Sequence, residues 1–231
     1  MRSSQYRAIP TATIFDASVR LGIVARIAPA GLDMITRGPI ISGRAVPSRH
    51  YGSVDVFLEA INNSRKGDVL VIDNGGRLDE ACIGDLVALE AQRVGLSAIA
   101  VWGCHRDSDE LRKINLPVFS LGHRPSAPTL VLKRPRDALR SAKFGSFRVT
   151  KDDVVFGDSD GLLFFTRKHV NMILETATGI RKTERRQATE ARRGRTLREQ
   201  LHFNEYLARR TGDSSFTFRK HLRRISGAIE E

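Results

Sequence analysis

Between Asp68 and Ser120 the chain alternates short continuous apolar runs with apolar positions at helical spacing. Asp68-Val69-Leu70-Val71-Ile72-Asp73 is an apolar run bounded by acids, the pattern of a buried strand, and it leads into the loop Asn74-Gly75-Gly76. Leu86, Val87, Leu89, Ala91 and Val94 then form a broad apolar stripe on one helix that Gly95 stops, and Ser97 to Trp102 is a second buried strand. Asp107 to Ile114 predicts a short helix, and Leu116 to Ser120 a third strand. The order strand, helix, strand, helix, strand predicts right-handed crossovers and a parallel sheet.

The flanking segments change character. Upstream, Thr13-Ile14-Phe15-Asp16 reads as a capping start with Thr13 at the cap, opening a short helix that ends at Gly22. Pro39 to Pro47 reads as a strand interrupted by Gly43, and Val54, Phe57, Leu58 and Ile61 as a helix stopped by Lys66-Gly67. Downstream, Thr129 to Leu132, Ser146 to Val149, Val154 to Phe156 and Leu162 to Phe165 are short β runs, the last two joined by a hairpin turn at Asp158-Ser159-Asp160-Gly161. From Thr166 the pattern is helical. One long amphipathic helix is followed by a capping box, Thr196-Leu197-Arg198-Glu199, that opens a second helix through Leu201, Tyr206 and Leu207; a third carries Phe216, Phe218, Leu222 and Ile225. The division expected is a catalytic α/β domain over residues 1–166 and a helical arm over 167–231 that packs on the body or on a neighbouring subunit.

Composition narrows the class. A chain of 231 residues with 41% apolar content supports one sizeable domain with an appendage. No apolar run approaches the roughly 18 residues of a membrane span, and MRSSQYRAIPTAT lacks the apolar core of a secretory signal. Two cysteines, Cys82 and Cys104, offer no disulfide framework, and the compartment expected is the reducing cytoplasm. The net charge of +12 is uneven: residues 181–231 carry 14 Lys and Arg against 7 Asp and Glu. A solvated, salt-bridged helical face is the preferred reading of that excess over a nucleic-acid interface.

The candidate chemistry lies at Gly84 to Glu110. Asp85 falls in the first turn of a helix, while Arg106 and Asp107 follow the strand after it. In an open α/β sheet, helix starts and strand ends meet along the edge where ligands bind. Asp107 is a hard oxygen ligand suited to Mg²⁺ or Mn²⁺. Arg106 can grip a carboxylate in bidentate fashion and stabilise a developing oxyanion. Backbone N–H groups over Gly84, Asp85, Leu86 and Val87 can hold an anionic group, and Asp85 can exchange a proton directly or through a water. The same residues also fit an ordinary surface ion pair beside a helix-capping acid. His105 is read as a bystander, and neither cysteine is marked as a nucleophile.

The runs GDVLVIDNGG, GDLVALEAQRVG, GCHRDSDEL, PVFSLG and DDVVFGDSDGLLFF, in that order, resemble the RraA-like proteins, a family that includes 4-hydroxy-4-methyl-2-oxoglutarate / 4-carboxy-4-hydroxy-2-oxoadipate aldolases. The aldolase pattern is an acid, twenty residues, Arg-Asp, two residues and a further acid; Asp85, Arg106, Asp107 and Glu110 satisfy it. The resemblance implies an α/β fold of the swivelling β/β/α sandwich type, here with a C-terminal helical extension, assembled as homotrimers or homohexamers. It implies a class II pyruvate aldolase that also decarboxylates oxaloacetate and depends on Mg²⁺ or Mn²⁺. By the same resemblance Asp107 is the metal ligand, Arg106 and Asp85 are catalytic, and Gly84, Asp85, Leu86, Val87 and Arg106 bind a small 2-oxo acid. Glu110 would support the metal shell, with Glu184 the nearest candidate for a neighbour's glutamate. The alternative is a non-enzymatic regulator that binds an RNA-processing enzyme, because the fold carries such proteins too.

Overall fold

A computed structural model describes residues 9–36 and 38–225; most of the N-terminal stretch read for a secretory signal lies outside them. The chain runs in the order α1 (Thr11–Arg20), β1 (Arg26–Ile27), β2 (Asp33–Met34), β3 (Ile41–Arg49), α2 (Asp55–Asn62), β4 (Val69–Asp73), β5 (Ala81–Ile83), α3 (Asp85–Val94), β6 (Ala98–Trp102) and β7 (Cys104–His105). It continues with α4 (Ser108–Ile114), β8 (Val118–Ser120), β9 (Ser141–Phe144), β10 (Phe147–Thr150), β11 (Asp153–Asp158), β12 (Gly161–Thr166), a 3-10 turn, α5 (Val170–Arg192), α6 (Leu197–Gln200), α7 (Phe203–Gly212) and α8 (Phe218–Ile225).

The chain forms two compact units. Among the described residues, the first comprises 9–11 and Val24–Val170, and the second comprises Ala12–Ile23 and 171–225. In the first unit an eight-stranded mixed sheet has the order β1-β12-β11-β3-β4-β6-β8-β2. Strands β3, β4, β6 and β8 are parallel, as the alternating pattern predicts. Alternate residues of the central strands feed two cores. Leu70, Ile72, Ile99 and Val101 meet α2 and α3 through Phe57, Ile61, Val87 and Ala91, whereas Val69, Val71, Ala98 and Ala100 share the other core with Ala142, Phe144 and Val149 of the β9–β10 hairpin. A sheet covered on both faces explains why β4 and β6 read as continuous apolar runs. The architecture is the β/β/α sandwich expected, with helices following it.

Several local expectations need correction. Helix α1 begins at Thr11 rather than after Thr13, and Asp158 accepts hydrogen bonds from Thr11 N and Thr11 Oγ1, both at 2.7 Å. Strand β3 runs unbroken through Gly43, where a Cβ would collide with the carbonyl of Gly67; the glycine admits a neighbour rather than breaking the strand. Helix α2 ends at Asn62, ahead of Gly67. Thr129 to Leu132 is not a strand but irregular chain with exposed leucines. The stripe on α3 is narrower than its apolar count implied: Val87, Ala88 and Ala91 are buried, whereas Leu86 and Leu89 are exposed. The capping box at Thr196 and Glu199 is present, yet α6 stops after one turn at His202, whose φ of 48° is incompatible with continuing the helix.

The second unit has its own aromatic core. Tyr206 packs against Phe203, Phe218 and His221 with ring centroids 5.6, 4.9 and 5.7 Å away, and His221 Nε2 donates to the carbonyl of Leu201 at 2.8 Å. Thr13 Oγ1 donates to Glu184 Oε2 at 3.3 Å within the same unit, so α1 and α5 are joined there.

Candidate active site

Two very short strands build the site. β5 and β7 pair in parallel with Ala81 opposite Cys104 and Ile83 opposite His105. The residues that follow each strand, Gly84 and Arg106, therefore emerge side by side, and Arg106 N donates to the carbonyl of Ile83 at 2.9 Å. Arg106 and Asp107 thus follow β7, not β6 directly as expected; Gly103, at φ 156°, makes the step between the two strands. On its other side β7 is held by His105 N donating to Gly122 O and Arg124 N donating to His105 O.

The convergence is tight. Asp107 Oδ2 lies 3.4 Å from Arg106 Nε and 3.4 Å from Asp85 N, so a carboxylate, a guanidinium and a helix-start amide share one corner. A Cβ on Gly84 would collide with Asp107 Oδ2 and would stand 3.2 and 3.3 Å from Arg106 Cγ and Nε. Gly84 is at φ −146°, open to any residue, so glycine is required here by space alone. Asp85 Oδ1 accepts from Leu86 N at 2.7 Å, which occupies one amide of the helix start; an incoming anion at that amide must displace the Asp85 side chain. Asp85 is half-buried, Arg106 and Asp107 are open to solvent, and Val87 is buried beneath them.

Asp107 caps α4 in the left-handed region, at φ 59° and ψ 41°. A non-glycine residue there carries a conformational cost that surrounding contacts must hold in place. Beneath it, His105 is buried between two serines: Nδ1 is 2.8 Å from Ser120 Oγ and Nε2 is 2.9 Å from Ser108 Oγ. Burial, helped by the neighbouring His123, pushes the His105 pKa down to about 4, so the ring is neutral. His105 therefore acts as a structural clamp across the Arg106–Asp107 turn. Ser108 and Ser120 were not singled out from sequence; only Ser108, directly after Arg-Asp, offered a signal.

The remaining expected residues are engaged elsewhere. Glu110 pairs with Lys113 at 2.6 Å on the exposed side of α4, and Glu184 accepts from Thr13. Cys82 and Cys104 are buried free thiols, each with its pKa raised chiefly by burial, so they are structural rather than reactive. Among the described residues no group of three His, Cys, Asp or Glu side chains could hold a metal, and no helix is long and apolar enough to cross a membrane. One chain thus offers Asp107 with Asp85 nearby. That hard-oxygen set fits an ion that keeps several waters and does not fit an all-protein cage.

The sequence profile of the RraA-like family (Aldolase/RraA) matches residues 11–164. A relative from Dechloromonas aromatica, named "Putative 4-hydroxy-4-methyl-2-oxoglutarate aldolase", is 31% identical over 53% of this chain and 74% of its own length. The chain is similar in structure to an uncharacterized protein from Pseudomonas syringae pv. tomato (TM-score 0.72, 23% identity, 83% of this chain and 92% of that one). It is also similar to the RNA-processing inhibitor RraA from Thermus thermophilis (TM-score 0.58, 22% identity, 66% of this chain and 91% of that one). At these identities the two structures establish a shared fold.

Proposed function

The chain belongs to the RraA-like family, and from that premise we propose that it is a divalent-metal-dependent lyase that cleaves a 4-hydroxy-2-oxo diacid to pyruvate and a second oxo acid and also decarboxylates oxaloacetate. The observation that carries this reading is the meeting of Asp107 Oδ2 with both Arg106 Nε and Asp85 N where β5 and β7 end together. An ordinary surface ion pair has no need of a glycine that clears space for it, nor of a left-handed aspartate clamped from below.

Asp107 would hold the Mg²⁺ or Mn²⁺ ion, which when bound supplies Lewis-acid polarisation of the 2-oxo group. Arg106 binds the pyruvyl moiety and stabilises negative charge developing on its oxygen. The amides at the start of α3, over Leu86 and Val87, hold the substrate carboxylate once Asp85 swings away from Leu86 N. Asp85 then takes the C4 hydroxyl proton through a water. The C3–C4 bond breaks, its electron pair passes into the pyruvate enolate, and C4 becomes the carbonyl of the second oxo acid. Protonation at C3 releases pyruvate. Loss of carbon dioxide from oxaloacetate leaves the same enolate, so one site serves both reactions. Glu110 would support the metal shell, and in a trimer or hexamer a neighbour's acid, with Glu184 the candidate, would complete the site.

A lactate-dehydrogenase-coupled assay with oxaloacetate and a panel of 4-hydroxy-2-oxo acids, with and without Mg²⁺, tests the reading. Asp107→Ala should abolish metal-dependent turnover, and Arg106→Ala should lower pyruvate release by about a hundredfold or more. Unchanged rates in both variants reject the site. The second reading, a non-enzymatic regulator of an RNA-processing enzyme, is favoured by the likeness in fold to the Thermus inhibitor. It gains ground if no 2-oxo acid is turned over with any divalent ion.

A further inference from the structure

The helical unit holds a cavity of its own, about 340 Å³ in volume, which is within the range of small-molecule sites. Helix α5 contributes Arg186, Gln187 and Glu190, the segment through α6 contributes Arg195 and Leu201, and α8 contributes Ile225. The walls are tied together. Gln200 Nε2 donates to Gln187 O at 3.1 Å and to Arg195 O at 3.0 Å, which fastens α6 to the end of α5. The bond from His221 to Leu201 O holds α8 against the same corner. A cavity braced in this way stands before any ligand arrives, so little ordering opposes binding.

Polar groups in the lining select the ligand. The one acid there, Glu190, is committed to Arg193 at 3.0 Å. The two arginines are not committed: Arg186 and Arg195 are exposed, and neither makes an ion pair among the described residues. Glu199, four residues on from Arg195, is held by the capping box, where its Oε2 accepts from Thr196 N at 2.7 Å. At the end of α5 the carbonyls of Thr189, Glu190 and Ala191 are occupied by the N–H groups of Arg193, Arg195 and Gly194. Gln187 is 9% exposed, yet its side-chain amide makes no hydrogen bond among the described residues, and Oε1 is buried outright. Leaving such an amide unsatisfied costs about 1–3 kcal/mol, and a molecule in the cavity would supply the partner that Nε2 lacks. A guanidinium presents two parallel N–H groups that match phosphate oxygens. Two of them with an amide N–H suit a doubly charged tetrahedral anion, and Leu201 and Ile225 give the cavity an apolar side.

We infer that this cavity binds a phosphate monoester, its dianion held between Arg186 and Arg195 with the Gln187 amide donating to it, and its organic group against Ile225. The assignment rests on the helical unit alone and is independent of the proposed lyase activity. Isothermal titration of the full chain with phenyl phosphate, and with methyl phenyl phosphate as its singly charged diester, tests it. Phenyl phosphate should bind saturably and about tenfold more tightly than the diester, because the second charge lets it engage both guanidiniums. Arg186→Ala and Arg195→Ala should each weaken binding about tenfold, as loss of a charge-assisted contact does. Both should leave the melting temperature in place, because the two side chains are exposed. Gln187→Leu should also weaken binding about tenfold, yet hold or raise the melting temperature, since it replaces an unsatisfied buried amide by an apolar group of similar size. Arg192→Ala removes a cation of α5 outside the lining and should leave binding unchanged. Absence of saturable binding at millimolar ligand, equal affinity for the diester, binding undiminished in both Arg186→Ala and Arg195→Ala, or an equal loss in Arg192→Ala would each overturn the assignment.

Discussion

Gly84 and Asp107 lie so close that any side chain on the first would occupy the space of the carboxylate on the second. Gly84→Ala should therefore push Asp107, and with it Arg106, out of register with the start of α3. A displacement of about 1 Å in a positioning group costs about a hundredfold in rate. The expected outcome is a drop of that size in Mg²⁺-dependent pyruvate release, read in the coupled assay, with no strain from the backbone angle itself.

Charge and backbone shape at position 107 are separable. Asparagine tolerates the left-handed region nearly as well as aspartate, so Asp107→Asn should keep the turn into α4 and melt within about 1 kcal/mol of the parent. Its metal-dependent turnover should nevertheless fall as far as that of Asp107→Ala. A bulky β-branched residue, as in Asp107→Val, should lose stability as well as activity.

The buried imidazole beneath that turn makes stability pH-dependent. His105 takes up a proton at about pH 4 in the folded chain, against about 6.5 unfolded. As pH falls the unfolded chain is protonated first. Stability present above about pH 6.5 is therefore lost progressively down to about pH 4. His50, also lowered by burial, acts in the same direction. Thermal melts between pH 4 and 7.5 should show this slope, and His105→Gln should flatten it.

The helical unit should respond to loss of its own core. Tyr206 contacts four rings and is 7% exposed, so Tyr206→Ala should cost about 3 kcal/mol there. Hydrogen exchange should quicken over 197–225 while β4 and β6 stay protected.

Much of the architecture was legible because the periodicity was unambiguous. β4 and β6 are buried on both faces and read as unbroken apolar runs; Gly95, at φ 84°, ends α3 where a left-handed residue was needed; the Asp158–Gly161 hairpin closes as its composition indicates. Asp85, Arg106 and Asp107 were legible from chemistry and family pattern. Their means of meeting was not. β5 and β7 span three and two residues, too short for any hydrophobic rhythm to register, and parallel pairing across more than twenty residues leaves no local mark. Thr129 to Leu132 misled for the opposite reason: its apolar residues line a cavity rather than a sheet. Leu86 and Leu89 widened the expected stripe on α3 because counting apolar positions cannot tell which of them the sheet covers.

The miniature ladder of β5 and β7 works as a vernier. Side chains alternate along a strand, so sliding Cys104–His105 by one position against Ala81–Ile83 would withdraw the guanidinium and present an imidazole beside Gly84 instead. Insertions or deletions between Trp102 and Arg106 should consequently erase activity even where the large sheet is untouched.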